Sequence, residues 1–322
     1  MADQRPTIFV TRRLPPAVTE RLVETYDARL NEDDHPLSDA ELKAGLADAD
    51  GVITASSTSW DEARFASLPE RVKIVTTFSV GFEHIDLDAA KARGVRVGNT
   101  PEVLTEAVAD IAMLCLLGAA RRGWEAQSML REGRWKGWHT TQLVGMELAG
   151  KKLGIVGMGR IGRATARRAK GFGIEVHYHN RRPLGAGEDE GATFHANLET
   201  LLPAVDIVSL SCPATPETMR MVDAAFLAKM RPGSILVNTA RGALVDEAAL
   251  MAALDSGHLF AAGLDVFDNE PNVDPKLVRY ENIYALPHIG SATVDTRNAM
   301  GFCCLDNLDA FFTGKPLPFG LV

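Results

Sequence analysis

Three charged side chains stand just beyond short apolar runs in the second half of this sequence. Arg241 follows Ser234-Ile235-Leu236-Val237-Asn238, within Thr239-Ala240-Arg241-Gly242. Glu270 follows Leu264-Asp265-Val266-Phe267-Asp268-Asn269 and precedes Pro271, and His288 follows Leu286-Pro287. Apolar runs of this length read as buried strands, and ligands of open α/β sheets bind outside the carboxyl ends of the strands. An arginine, a carboxylate and a histidine on that edge fit hydride transfer to a 2-keto acid. The arginine would hold the carboxylate and polarise the keto oxygen. The histidine would donate the proton as the alkoxide develops, and the glutamate would orient it. Each has a plainer reading alone: an arginine ending a turn, a solvated loop glutamate, a structural histidine. Their ordered appearance at successive strand exits favours the chemistry.

A hydride needs a source, and Lys152 to Pro183 supplies the site for one. The strand-like run Lys152-Leu153-Gly154-Ile155-Val156 breaks into Gly157-Met158-Gly159-Arg160-Ile161-Gly162. The helix-forming stretch Arg163 to Lys170 and a second strand, Ile174 to His179, follow. Strand, glycine turn, helix and strand within about 30 residues is the context in which the hexad marks a dinucleotide site. Gly157 allows the tight turn, Gly159 the approach of a pyrophosphate, and Gly162 close packing of helix on strand. The freed amides at the helix start, around Arg160 and Ile161, and the helix dipole hold the phosphate charge.

Beyond the second strand comes Asn180-Arg181-Arg182, where an NAD enzyme carries Asp or Glu for the ribose 2′-hydroxyl. No carboxylate repels a 2′-phosphate there, and two guanidiniums can pair with one. NADP(H) is the preferred cofactor on this reading, with NAD(H) second. The plainer reading is a solvated basic loop.

The rest of the chain must position these groups. A length of 322 residues suggests about two domains. Hydrophobic content of 46% and charged content of 24% are ordinary for a soluble globular protein. A net charge of −8 argues against a general nucleic-acid surface. The start, Met1 to Pro6, has no apolar signal region, and Ala107 to Ala120 is too short to span a membrane. Cys115, Cys212, Cys303 and Cys304 show no metal-ligand spacing, so a reduced, cytoplasmic chain without metal is expected.

Strands alternating with helices imply an α/β protein with two doubly wound domains. The first half has strands at 7–10, 51–54, 73–77 and 95–97 and no glycine hexad. Residues 1–100 and 290–322 are assigned to a flavodoxin-like substrate domain, the latter holding a final helix at 291–313. Residues 101–289 are assigned to a six-stranded Rossmann dinucleotide-binding domain, opened by a helix at 101–122 that suits an interdomain connector. Within it, 123–149 carries Trp124, Trp135 and Trp138, an aromatic arm read as an oligomer contact.

The sequence resembles the D-isomer-specific 2-hydroxyacid dehydrogenases over nearly its whole length. The resemblance rests on Gly157 to Gly162, Val237 to Gly242, Gly263-Leu264-Asp265-Val266-Phe267 with Glu270-Pro271, and Leu286-Pro287-His288-Ile289-Gly290. It implies that Arg241, Glu270 and His288 are the catalytic trio, with His288 the proton donor. It implies that the amides of Val80 and Gly81 bind the substrate carboxylate. It also implies that Asp265 holds the nicotinamide amide, that Cys212-Pro213 and Thr239-Ala240 line the cofactor, and that Thr105 and Gly290 belong to the cofactor site. Asn180 to Arg182 looks like the NADPH-preferring glyoxylate, hydroxypyruvate and hydroxyphenylpyruvate reductases. The arm is similar to the segment that builds the family's dimer, and Trp138 is the candidate to reach the partner's active site or to fill the dimer core.

Glyoxylate and hydroxypyruvate are therefore the first substrates expected. Bulkier acids, 2-ketogluconate or hydroxyphenylpyruvate, are the rival, and the loop Thr54-Ala55-Ser56-Ser57 with Trp60 is expected to decide between them. Glu270 stands where formate dehydrogenases carry Gln, which argues against formate. A dinucleotide-sensing, corepressor-like binding protein is the rival from outside the enzymes. His177, His179 and His195 match no family motif and are read as structural or solvent-exposed.

Overall fold

The computed structural model describes residues 5–322; the first four residues of the polar start discussed above lie outside it. The chain divides into two units, residues 1–104 with 292–322 and residues 105–291.

Unit 1 opens with β1 (Thr7–Val10), α1 (Pro16–Thr25), β2 (Asp27–Arg29), α2 (Asp39–Leu46) and β3 (Gly51–Thr54). It continues with α3 (Glu62–Ala66), β4 (Ile74–Thr77), α4 (Leu87–Ala92) and β5 (Arg96–Gly98). The strands are all parallel, in the order β2-β1-β3-β4-β5, the flavodoxin-like order. Side chains alternate between the two faces. Ile8, Val10, Ile53 and Ile74 join one core, while Phe9, Val52 and Val75 join the other. Burial on both faces explains why these strands read as unbroken apolar runs. Ser38 caps α2 with a reciprocal box to Glu41, and Asp61 and Asp86 cap α3 and α4.

Unit 2 begins with α5 (Thr105–Ala120) and α6 (Gly123–Arg131), then β6 (Lys152–Val156), α7 (Arg160–Gly171), β7 (Glu175–His179) and β8 (Thr193–His195). After α8 (Leu198–Leu201) come β9 (Ile207–Leu210), α9 (Ala224–Lys229), β10 (Ser234–Asn238), α10 (Glu247–Asp255), β11 (Leu259–Leu264) and β12 (Ile283–Ala285). The sheet is parallel, in the order β12-β11-β10-β9-β6-β7-β8. It has seven strands where the sequence suggests six. The extra one is β8, a three-residue edge strand after a glycine-rich loop, too short to leave a periodic signal. Order reverses between β6 and β9, which places the glycine turn after β6 at the topological switch point.

The final helix, α11 (Val294–Phe312), packs on α1 and β4 of unit 1. Arg21 pairs with Asp306 and Asp309, and the Tyr26 hydroxyl donates to Asp309 at 2.6 Å. α5 packs along β10, β11 and α7 within unit 2. No helix among the described residues is long and apolar enough to cross a membrane.

Candidate active site

The carboxyl ends of β10, β11 and β12 carry the three charged groups singled out by sequence. The last residue of β10, Asn238, clasps the turn that follows: its side chain donates to the Arg241 carbonyl at 2.8 Å and accepts from the Ala240 amide at 3.0 Å. Arg241 is half-buried, and its Nη1 donates to the Ala240 carbonyl at 2.7 Å. The next residue must be glycine, because a Cβ on Gly242 would run into the Phe267 carbonyl. That contact lays the β10 exit directly against the segment after β11.

The same segment returns a carboxylate. Glu270 Oε1 accepts from the Phe267 amide at 2.8 Å, and Oε2 lies 2.6 Å from His288 Nδ1. Burial opposes ionisation of Glu270. The hydrogen bonds from His288 and the Phe267 amide, with the charges of His288 and Arg241, outweigh it and hold the carboxyl below its ordinary value. The carboxylate therefore accepts from Nδ1–H and fixes the tautomer. Nε2 has no protein partner among the described residues, and the His288 side chain is 48% exposed. The imidazole is thus anchored at one nitrogen and open at the other, the geometry of a proton donor.

Asp265 is 1% exposed and accepts from the Ile289 amide at 2.8 Å, tying the β11 exit to the loop after His288. Burial pushes its carboxyl up from the ordinary value, against the pull of the Ile289 and Gly290 amides. Gly290 packs beside it, its absent Cβ falling 3.2 Å from an Asp265 carboxylate oxygen.

At the switch point, Gly157 has φ +94°, and a Cβ there would lie 2.5 Å from the Cys212 amide nitrogen. Gly159 caps α7 with no side-chain hydrogen bond, and a Cβ built on it meets nothing within 4 Å. The open space lies at the N-terminal end of α7, where Gly159 brings no side chain between the turn and the helix. Gly162 is buried against the Gly157 carbonyl and Ile155. Asn180 accepts from the Met158 amide at 2.6 Å, so its side chain braces the glycine turn. Arg181 and Arg182 are exposed, with no hydrogen bond or ion pair to either side chain among the described residues. The Thr239 hydroxyl is buried without a partner, and so is that of Ser211, beside Cys212-Pro213. Sequence alone did not single out Ser211; only the orphaned hydroxyl does. Thr105 is the half-buried first residue of α5.

In unit 1, Val80 and Gly81 follow β4. Their carbonyls are held, Val80 by Asn99 Nδ2 at 2.8 Å and Gly81 by the Ser79 hydroxyl at 2.7 Å. Their amides donate to no acceptor among the described residues. Two fixed, unpaired amides suit a carboxylate. Ser56 is exposed on the loop after β3. Trp60 corrects the expectation that it helps shape that pocket. It is 0% exposed and donates its indole N–H to Thr54 Oγ1 at 3.0 Å, so it supports the loop from the core.

Residues 113–290 match the family model described as D-isomer specific 2-hydroxyacid dehydrogenase, NAD binding domain. The chain belongs to this family. The dehydrogenase is 40% identical over 316 residues to glycerate dehydrogenase of Hyphomicrobium methylovorum, covering 98% of each chain. It is equally similar, 40% over 318 residues, to glyoxylate reductase of Thermococcus litoralis, covering 98% of this chain and 96% of that one. A solved structure, the NADPH-dependent glyoxylate/hydroxypyruvate reductase of Sinorhizobium meliloti in complex with NADP and malonate, matches with a TM-score of 0.88 at 38% identity. That match covers 99% of this chain and 97% of the other.

The dehydrogenase is an oxidoreductase that uses a nicotinamide dinucleotide. The uncapped α7 terminus, the open space at Gly159 and the orphaned hydroxyls of Ser211 and Thr239 fit such a group. The remaining histidines of interest, His177, His179 and His195, form a hydrogen-bonded group on β7 and β8. His177 Nδ1 lies 2.9 Å from His195 Nε2, and His179 Nδ1 lies 2.9 Å from the His195 carbonyl.

Proposed function

We propose that the protein reduces glyoxylate and hydroxypyruvate to their 2-hydroxy acids with NADPH. The observation that carries this reading is the Glu270–His288 pair, 2.6 Å apart, with Nε2 left open. Arg241, Glu270 and His288 are the proposed catalytic trio. His288 passes its Nε2 proton to the keto oxygen as C2 is reduced, and solvent restores it. Glu270 keeps the ring oriented and balances the imidazolium charge. Arg241 supplies fixed positive charge for the developing alkoxide. The Val80 and Gly81 amides are the proposed donors to the substrate carboxylate.

Gly157 to Gly162, Cys212-Pro213, Thr239-Ala240 and Asp265 would hold the nicotinamide dinucleotide, which would supply the hydride. Arg181 and Arg182 favour NADPH, since two exposed guanidiniums stand beyond β7 where an NAD enzyme carries a carboxylate. The solved relative from Sinorhizobium meliloti is itself described as NADPH-dependent.

Oxidation of NADPH and of NADH with each keto acid tests the proposal. Faster NADPH turnover on both small acids is the expected result. Preference for 2-ketogluconate or hydroxyphenylpyruvate would move the substrate, and preference for NADH would overturn the cofactor assignment.

The arm supports a homodimer as the working form. Trp138 is 79% exposed, Leu130 64% and Val144 61%, large apolar side chains that a second copy would cover. Sedimentation should give twice the 34.8 kDa chain mass. Replacing Leu130 and Val144 with Asp should shift the protein toward monomer, and a monomeric parent protein would end this reading. A cytoplasmic location is the setting proposed for a chain with four free cysteines.

A further inference from the structure

A cavity of about 470 Å³ opens at the carboxyl edge of the unit 1 sheet, lined among others by Arg12, Arg13, Asp34, Ser56, Phe78 and Arg297. Phe78 follows β4 just before the unpaired amides of Val80 and Gly81, so cavity and carboxylate donors share one sheet edge. The walls carry three guanidiniums and one carboxylate, in a chain whose net charge is −8.

The carboxylate is already spent. Asp34 Oδ1 accepts from Arg12 Nε at 2.7 Å and from the Arg13 amide at 2.9 Å. Arg12 also reaches the Ser57 hydroxyl at 3.4 Å, and the Arg13 side chain donates to the Glu32 carbonyl. Arg297 differs from both. It is half-buried, and its side chain makes no hydrogen bond or ion pair among the described residues. Burial alone shifts its pKa, downward. It also lies near the N-terminal end of α11, where the helix dipole disfavours a cation. No nitrogen of Arg297 is among the buried unpartnered atoms, so its five donors face the cavity and are available to an anion there.

We propose that this cavity is the distal subsite of the substrate site, and that Arg297 binds a second anionic group at the far end of a 2-keto acid. The reading rests on the proposed 2-keto acid reductase activity and names a substrate class for it: 2-keto acids whose tail ends in a carboxylate or phosphate. With the first carboxylate on Val80 and Gly81, the tail extends into the cavity, where Ser56 adds a hydroxyl. Glyoxylate has no tail and leaves Arg297 unfilled. The charged walls also disfavour an aromatic tail such as that of hydroxyphenylpyruvate.

Matched substrate pairs isolate the effect. 3-Phosphohydroxypyruvate and hydroxypyruvate differ only in the phosphate, and oxaloacetate and pyruvate only in the second carboxylate. The wild-type protein should show a higher kcat/KM for the doubly charged member of at least one pair, and which pair responds identifies the tail group. In Arg297→Gln the doubly-to-singly charged ratio should fall roughly 10- to 100-fold, the value of a charge-assisted hydrogen-bonded pair. Arg297→Lys should recover part of it. Equal ratios in wild type, or a ratio unmoved by Arg297→Gln, overturn the proposal while leaving the reductase reading intact. Calorimetric titration of the same acids covers the case of no turnover. Binding of oxaloacetate or 3-phosphohydroxypyruvate that weakens in Arg297→Gln would keep the anion subsite though the reductase reading had failed; no such binding would remove both.

Discussion

His288→Ala lowers kcat with glyoxylate by about 100- to 10,000-fold, the range contributed by a positioned acid, while NADPH binding stays near normal. The expectation follows from how the ring is held. Nδ1 is fixed 2.6 Å from Glu270, and Glu270 is itself fixed by the Phe267 amide at 2.8 Å. The proton therefore leaves from Nε2, and alanine removes it without touching the fold of the sheet. Glu270→Gln should cost less, because its one oxygen can still accept from Nδ1–H, although its NH2 then faces the Phe267 amide and no charge balances the imidazolium. The measurement is single-turnover reduction followed at the nicotinamide absorbance, beside direct titration of NADPH. An alanine variant with near-normal turnover would remove His288 from the proton path. Loss confined to NADPH affinity would make it a cofactor contact instead.

The ordering of that site was legible because each group follows a strand, and fully buried parallel strands announce themselves as apolar runs. Leu236 points into one core of unit 2 while Ile235 and Val237 point into the other, so no polar residue stands between Ser234 and Asn238 in β10. Less legible were features that depend on side-chain contacts across the fold. β2 and β8 are three-residue edge strands with polar members, and neither is long enough for a period of two to show. Trp60 looked like a pocket residue from its place on a loop; only the structure shows its ring in the core. Asn180 stands in the stretch that replaces the ribose carboxylate of NAD enzymes, and only the structure shows its side chain bonded to Met158. The lone guanidinium of Arg297 carries no sequence signal, because what marks it is a partner that is missing.

The commitment of Asn180 shapes the second large expectation. Replacing both Arg181 and Arg182 with Gln should weaken NADPH by roughly 10- to 100-fold and spare NADH, since a charge-assisted pair to phosphate is worth that much. Both side chains are exposed and make no hydrogen bond or ion pair among the described residues, and beyond the weak pull of Arg181 on Glu217 their removal leaves the loop's contacts in place. Asn180→Asp, the change that imitates an NAD enzyme, is a poorer handle. Oδ1 accepts from the Met158 amide at 2.6 Å while Nδ2 faces the Met158 carbonyl at 3.4 Å, where a carboxylate oxygen would be repelled. That variant should loosen the glycine turn and weaken both cofactors together. Steady-state KM values for NADPH and NADH separate the cases. A selective loss of NADPH in the double glutamine variant ties the phosphate to these two residues. An equal loss of both cofactors would mean that the loop supports the turn and does not read the 2′-phosphate.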